Sequence, residues 1–585
     1  MKRVRTATIS LLAAGLLIAP AACSQSEDGS RSTRRAITQS QAIAADFLRT
    51  ELALSPETAS RLDMEAYLGP SAIYTLDNHS QAGFERRRLV RIELLQRLRQ
   101  RPRLPEDHAL TRDLAIAEAA IVDLISLEQL GYGRFSYAEQ RPYALDPYSG
   151  VWIEGPNLLA YQQTINSIDQ AGAYIARLQS LSAAIEDTRR RLIADRAAGL
   201  EMPRPLAEET QRRLELLISD APTALELLTE TFAALTLDLA DLEAGQRDQL
   251  VSVVRNEVTD RLRPALQDLS DTVAEIAADA SDQAGIWAQP KGQELFVGIL
   301  KASIGEQMNS ERLHARHVVD VAAQTEALKN LLVLPVNEDG TAATEPLDRP
   351  ERLEDLLTWY EALVTEPDLT RAEPEEPTRD PDIIEQLAPK TVWELMQATP
   401  SFDLQADAAA RYQDVWQTQP YLTWRTEGDG DLPDYRTLAE YSAIDAAWRL
   451  YVWQNSFEPT AGAPLEQAAY ASIPLIQYTL AAADTGIHLD RWSLPEASEY
   501  IAEHSGLNAA VSEQLALQIM AQPGYHTAVA AAYHRFEALA ERARAVLGSR
   551  FSESDFQRTL IQPGPRPLPF IETDVEAWYG ARLAN

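Results

Sequence analysis

Apolar residues recur at three- and four-residue spacing through most of this chain, the period of amphipathic helices that bury one face. Leu89, Ile92, Leu95 and Leu98 make one such stripe, and Ile175, Leu178, Leu181, Ile185 and Leu192 another. In this pattern Arg86, Arg87 and Arg88 read as a solvated face, and Arg189, Arg190 and Arg191 lie largely off their stripe. Gly199, Pro203 and Pro205 end the second helix. Residues 208–280 predict two or three more helices, broken near Gly245 and Pro264, with almost nothing resembling a strand. Helices are expected again over 299–334, 437–453 and 464–482, and from Pro495 to the end. Turn chemistry marks 143–156, whose aromatics suit a cleft mouth or a core equally, and 285–292, a turn or short strand. The fold class is therefore mainly α, a large multi-helix architecture with few short strands.

The first residues follow a different logic. Lys2, Arg3 and Arg5 precede an apolar run from Ile9 to Ile18, and Ala21-Ala22 stand directly before Cys23. This is the pattern of a secretory signal peptide, 1–22, too short to span a bilayer and outside the fold. Cys23 is the only cysteine, placed where a bacterial lipoprotein signal puts the residue that receives diacylglycerol. A lipid bilayer is thus the expected partner, and Ser24 after the cysteine fits sorting to an outer membrane, facing the periplasm. Residues 23–36, polar and poor in apolar side chains, predict a flexible tether. With no second cysteine, intramolecular disulfides are excluded.

The chain carries 87 Asp and Glu against 53 Lys and Arg, a net charge of −34. Phosphate backbones are bound through clustered cations, so nucleic acid is excluded as a partner. Pro367, Pro374, Pro377 and Pro381 make 366–382 a loop between an N-terminal helical region, 37–365, and a C-terminal one, 383–585. The acidic stretch 427–434 imitates a calcium loop, but Pro433 and Asp434 occupy its fifth and sixth places, so it reads as a turn. His314 and His317, three apart, are a weak metal pair without a third ligand.

In the C-terminal region Asp484-Thr485-Gly486-Ile487-His488 with Trp492, then Pro523-Gly524, Leu547-Gly548, Phe551, Phe556, Gly564, Pro567-Leu568, Val575 and Trp578 stand in a collinear series. Earlier in the chain Ser55 to Ala59, Leu76 to Ser80, Pro142-Tyr143, Tyr174, Arg177, Pro290, Gly292 and Leu313-His314 continue it. In these residues the sequence resembles the bacterial domain of unknown function 885, whose members resemble helical zinc metallopeptidases of the gluzincin type, built around a central cleft.

That resemblance implies a His-Glu-x-x-Pro-Gly-His-His-x-Gln segment, with histidines on zinc and the glutamate as general base toward zinc-bound water. With Pro420 fixing the register, Trp416 replaces the first histidine, Gln417 the base, Tyr421 the glycine, Leu422 and Thr423 the histidine pair, and Arg425 the final glutamine. Ala446 stands where the downstream glutamate ligand belongs. Leu295 and Phe296 occupy a tandem-tyrosine position, Gln518 and Ile519 an Arg-Tyr pair, and Tyr525 a glutamine. No His-Glu dipeptide occurs, so no shifted HExxH motif exists. No cofactor, zinc included, is expected.

The sequence thus predicts an anchored, non-catalytic envelope protein, with a cleft lined by Trp416, Gln417, Tyr421, Leu422, Thr423, Ala446, Leu295, Phe296, Gln518 and Tyr525 and suited to a peptide or small apolar ligand. Asp484, Gly486, His488, Trp492 and His314 are the retained family positions. Asp484 and His488, four apart, read as a helix-junction contact. Two alternatives stay open: a hydrolase with a relocated site using that pair, and a structural envelope lipoprotein. Ligand, pathway and oligomeric state are not written in the sequence.

Overall fold

The computed structural model describes residues 24–105, 108–219, 225–331, 387, 390–398, 403–417, 436, 438, 440–456 and 464–584. Cys23, the proline-rich stretch 366–382, the acidic turn 427–434 and residues 418–425 lie outside them. The fold is mainly α, and among the described residues the only paired strands are β1 (Arg134–Phe135) and β2 (Gln140–Arg141), an antiparallel hairpin.

The N-terminal half runs α1 (Ser24–Leu54), α2 (Pro56–Arg61), α3 (Gln81–Arg99), α4 (Ala109–Glu128), the hairpin, α5 (Val151–Asn157), α6 (Ile168–Ala197), α7 (Arg204–Ile218), α8 (Glu226–Leu235), α9 (Ala244–Glu257), α10 (Arg263–Asp279), α11 (Gly292–Ile304) and α12 (Leu313–Leu331). The C-terminal half runs α13 (Val392–Ala398), α14 (Asp403–Gln413), α15 (Ser442–Ser456), α16 (Pro464–His488), α17 (Leu494–Ser505), α18 (Ala509–Ala521), α19 (Tyr525–Leu547), α20 (Glu553–Ile561) and α21 (Leu568–Ala584).

Helix α16 is the axis. Every residue from Ser472 to His488 is buried, because α12, α14, α17, α18 and α19 pack around it. Pro474 sits inside this helix and has no N–H to give the carbonyl of Tyr470. The indole Nε1 of Trp453 donates to that carbonyl at 3.1 Å, so the proline leaves no unmet acceptor. A smaller core joins Phe47, Leu48 and Leu52 of α1 to Leu94 and Leu98 of α3 and to Leu114 and Ile121 of α4.

Several expectations need correction. Residues from Ser24 onward are helical in α1, in place of a flexible tether. In α3 the buried stripe is Phe84, Arg91, Leu94 and Leu98, while Leu89 is 55 % exposed. The helix is rotated because Arg91 points inward to two carboxylates, which outweighs burying one leucine. Residues Val151–Asn157 form α5 rather than loop, and Tyr143, Tyr148 and Trp152 are buried core. The helix expected over 299–334 breaks at Gly305, whose φ of 73° ends α11.

Other expectations agree with the structure. The α6 stripe of Leu178, Leu181, Ile185 and Leu192 is buried. Gly199 takes φ 87° after that helix.

Candidate functional site

A cavity of about 900 Å³ opens between the two halves. Ala446 on α15, Gln518 on α18 and Tyr525 at the start of α19 line one wall, with Asp445 and Arg449 beside Ala446. These three positions are separated by up to 79 residues in sequence and meet because α15, α18 and α19 all pack around the buried centre of the C-terminal half. Gln518 is held by donating to the Lys390 carbonyl at 3.0 Å. Burial pushes the Tyr525 hydroxyl above its usual range, so it remains a neutral donor. Next to it, burial holds His526 down to about 4, a neutral ring whose Nδ1 lies 3.3 Å from Gln477 Nε2.

Leu295 and Phe296 do not belong to this wall. Both are fully buried in the main core, and the Phe296 ring packs 5.9 Å from that of His488. Apolar side chains on the inward face of α11 gain more from core burial than from a wet cavity. The backbone of Trp416 and Gln417 closes a short 3₁₀ turn after α14, whose Tyr412 lines the cavity. Tyr421, Leu422 and Thr423 lie outside the described residues.

The facing wall comes from α2, α3, α6, the hairpin and the segment before α3, and it is built of charge. Asp77 and Glu57 clasp each other: the Asp77 N–H donates to Glu57 Oε1 at 3.0 Å, and the Glu57 N–H to Asp77 Oδ1 at 3.1 Å. Ser55 Oγ donates to Asp77 Oδ2 at 2.7 Å, and His79 Nε2 lies 3.0 Å from Glu57 Oε1. Burial and the nearby Glu57 charge push Asp77 up to about 6. Burial presses His79 down, but the Glu57 charge and hydrogen bond outweigh it, and the net shift is upward. For Glu57 burial is outweighed by His79, leaving it below the usual range. Each partner thus favours the charged form of the other, beside a carboxyl with a weakened hold on its charge.

Arg87, Arg134 and Arg191 complete that wall, and the sequence reading placed Arg87 and Arg191 on solvated faces. Arg191 is 7 % exposed, with its guanidinium 4.7 Å above the Phe84 ring. The signal that could have found Arg87 is its register: Phe84, Arg87, Arg91, Leu94 and Leu98 keep the three-and-four spacing of the buried stripe.

The retained positions do something different from lining the cavity. Asp484 accepts from the N–H of Gly524 at 2.8 Å, and from the N–H and Oγ1 of Thr527 at 3.0 and 2.8 Å. His488 Nδ1 accepts the Ile286 N–H at 3.1 Å while Nε2 donates to the Ile519 carbonyl at 3.0 Å. Both ring nitrogens are therefore committed to backbone, and burial holds the imidazole neutral, down to about 4. Gly486 lies under the Trp492 ring, 2.3 Å from where a Cβ would meet it. His314 packs edge-on against Trp492 at 4.9 Å and lies 3.0 Å from Thr485 Oγ1. His317 Nδ1 lies 3.0 Å from the Ala481 carbonyl. These residues tie α16 to α12, α18 and α19. Asp484 and His488 are 0 % and 1 % exposed, their polar atoms are occupied, and neither lines the cavity.

Among the described residues no three His, Cys, Asp or Glu side chains converge as a metal site. Ala446, where the family resemblance places the downstream zinc ligand, has no donor atom. Among the described residues no helix is long and apolar enough to cross a membrane.

The fold is shared with solved structures. A candidate lipoprotein from Colwellia psychrerythraea superposes with a TM-score of 0.76 at 17 % identity, over 93 % of this chain and 100 % of that one. A candidate lipoprotein of unknown function from Shewanella oneidensis gives 0.59 at 13 % identity, over 91 % and 98 %. No curated protein matches the sequence. The profile of the bacterial proteins of unknown function called DUF885 matches residues 56–376 and 423–575, most of the chain, and this protein belongs to that family.

Proposed function

We propose that this protein is a lipid-anchored component of the bacterial cell envelope whose cavity binds a peptide without hydrolysing it, on a metallopeptidase-like scaffold that has lost its zinc site. The observation that carries the reading is the meeting of Ala446, Gln518 and Tyr525 on one cavity wall. The family resemblance assigns a zinc ligand and substrate contacts to those three positions. The reading also takes the register in which Trp416, Gln417, Leu422 and Thr423 replace the histidines and the base, which comes from the family resemblance alone. A cavity of about 900 Å³ matches the size of ligand sites in general, and its mixture of tyrosine, tryptophan, glutamine and charge suits a peptide better than a purely apolar ligand. The description of the two solved neighbours as candidate lipoproteins agrees with Cys23 as the acylated residue.

The test is the metal content of the protein purified without chelator and then challenged with zinc. Bound zinc below about a tenth of an equivalent, with no thermal stabilisation on addition, is expected. Stoichiometric zinc would overturn the reading and restore a hydrolase. Labelling of the expressed chain with radioactive palmitate, lost in Cys23→Ser, tests the anchor.

A further inference from the structure

Across the chain acidic residues exceed basic ones by 87 to 53, yet along the cavity wall Lys and Arg outnumber Asp and Glu. Most of those cations are matched: Arg91 by Glu51 and Glu128, Arg134 by Glu154, and Arg141 by Glu139 and Asp146. Arg87 and Arg191 lack a hydrogen-bonded carboxylate among the described residues. Arg87 has its Nε buried without a hydrogen-bond partner, and none of the ion pairs among the described residues reaches its guanidinium. Arg191 donates through Nη2 to the Gly133 carbonyl, but its Nε is buried and unpartnered. Its nearest carboxylate oxygen, on Asp195, stands 3.7 Å away without a hydrogen bond.

Unpaired guanidinium N–H groups in a low-dielectric wall are costly, because each has given up water without replacing it. Arg87 also sits close enough to Arg191 to disfavour the charge on Arg191. Burial first, and then the charges of Arg87 and Arg134, pull Arg191 below its usual range despite Asp195. Phe84 under Arg191 fixes the plane of the guanidinium. With Nη2 on the Gly133 carbonyl and Nε buried toward Asp195, Arg191 keeps Nη1 without a hydrogen bond to a described residue, and a planar, pre-oriented cation of this kind beside a second cation is an arrangement that receives a carboxylate.

We propose that Arg87 and Arg191 form a carboxylate-binding subsite in the cavity, and that the bound peptide is held there by its terminal carboxylate. This deepens the peptide-binding reading and rests on it. The opposite wall, with Tyr525, Gln518 and Tyr412, then receives the rest of the chain. The His79–Glu57 pair and Asp77 next to Arg87 limit the subsite to a single carboxylate, because a larger anion would meet their charge.

The experiment uses the full chain in detergent and three probes: N-acetyl-trialanine with a free carboxylate, the same peptide as its C-terminal amide, and succinate. Affinity is read by calorimetry on wild type and on Arg87→Gln, a change that removes no hydrogen bond or ion pair between described residues. The acid peptide is expected to bind about tenfold tighter than the amide in wild type, with the difference lost in Arg87→Gln. Equal affinity for acid and amide would overturn the subsite while leaving peptide binding intact. Binding of succinate alone, abolished by Arg87→Gln, would keep the subsite and overturn the peptide ligand. No heat with any probe would overturn both.

Discussion

Asp484 accepts the backbone N–H of Gly524 at 2.8 Å, across 40 residues of sequence, and so fastens the central helix α16 to the first turn of α19. The same carboxylate takes both donors of Thr527. It caps a helix that begins after a Pro-Gly turn with no capping side chain of its own. Asp484→Ala strands three buried donors and is expected to cost about 2–4 kcal/mol, measured by urea unfolding. Asp484→Asn keeps an acceptor and loses less.

The pH dependence of that pair of proteins has a definite sign. Burial raises Asp484 to about 6 from the ordinary 3.8, so the folded state holds the proton more tightly than the unfolded chain does. Wild type therefore loses stability from this group as pH rises from about 4 to about 6, by a few kcal/mol at most (~3). Asparagine does not titrate, so the gap between wild type and Asp484→Asn should narrow over that window and stay constant above it. A gap that widens with pH would show that the hydrogen bonds, rather than burial, dominate the carboxyl.

His488 makes the opposite prediction. Its folded value of about 4 lies below the ordinary 6.5, so the unfolded chain binds the proton better. Stability from this group is present above about pH 6.5 and is lost as pH falls toward 4, by roughly 3 kcal/mol. His488→Gln leaves the Ile286 N–H or the Ile519 carbonyl unmet and should cost about 1–3 kcal/mol at pH 7. That cost should shrink toward pH 4. A cost that does not change with pH would mean that the ring is not held neutral.

Gly486 should tolerate no side chain. A Cβ there would lie 2.3 Å from Trp492 Cε3 and 2.4 Å from Cδ2, in the middle of a ring system already clamped between His314 and Tyr500. Gly486→Ala is expected to lower stability by about 2–3 kcal/mol through displacement of that ring. Near-ultraviolet circular dichroism should report the moved tryptophan. An unchanged spectrum and unchanged stability would place the ring elsewhere.

The Asp484–His488 segment shows what was legible from sequence. Its spacing announced a helix-junction contact, because a carboxylate and an imidazole four apart share a face and both need partners when buried. Periodicity in the same way found the stripe of α6. What stayed hidden were partners remote in sequence. Arg91 looked like one charge among many in an arginine-rich helix, and only the fold brings Glu51 and Glu128, 40 and 37 residues away, to its two sides. Leu295 and Phe296 were misplaced for a related reason. The resemblance assigned them the role of the tyrosines they replace, but a side chain without a hydroxyl has no reason to stay at a polar wall.

Arg91 offers the largest stability effect. Its guanidinium lies between Glu51, whose Oε2 is 3.0 Å from Nη2, and Glu128, and all three side chains are at most 4 % exposed. Removing the cation alone leaves two carboxylates in a dry site facing each other, which burial and mutual repulsion disfavour. Arg91→Met should therefore cost about 3–5 kcal/mol at pH 7 in urea unfolding. Because each stranded carboxyl can take up a proton instead, the loss should diminish as pH is lowered toward 5. Replacing all three residues, as Arg91→Met with Glu51→Leu and Glu128→Leu, should recover most of it, since a packed apolar triad carries no desolvation cost. If the single variant is nearly neutral at pH 7, the triad is hydrated; if the triple variant stays as unstable as the single one, the helices α1, α3 and α4 need those charges to find their register.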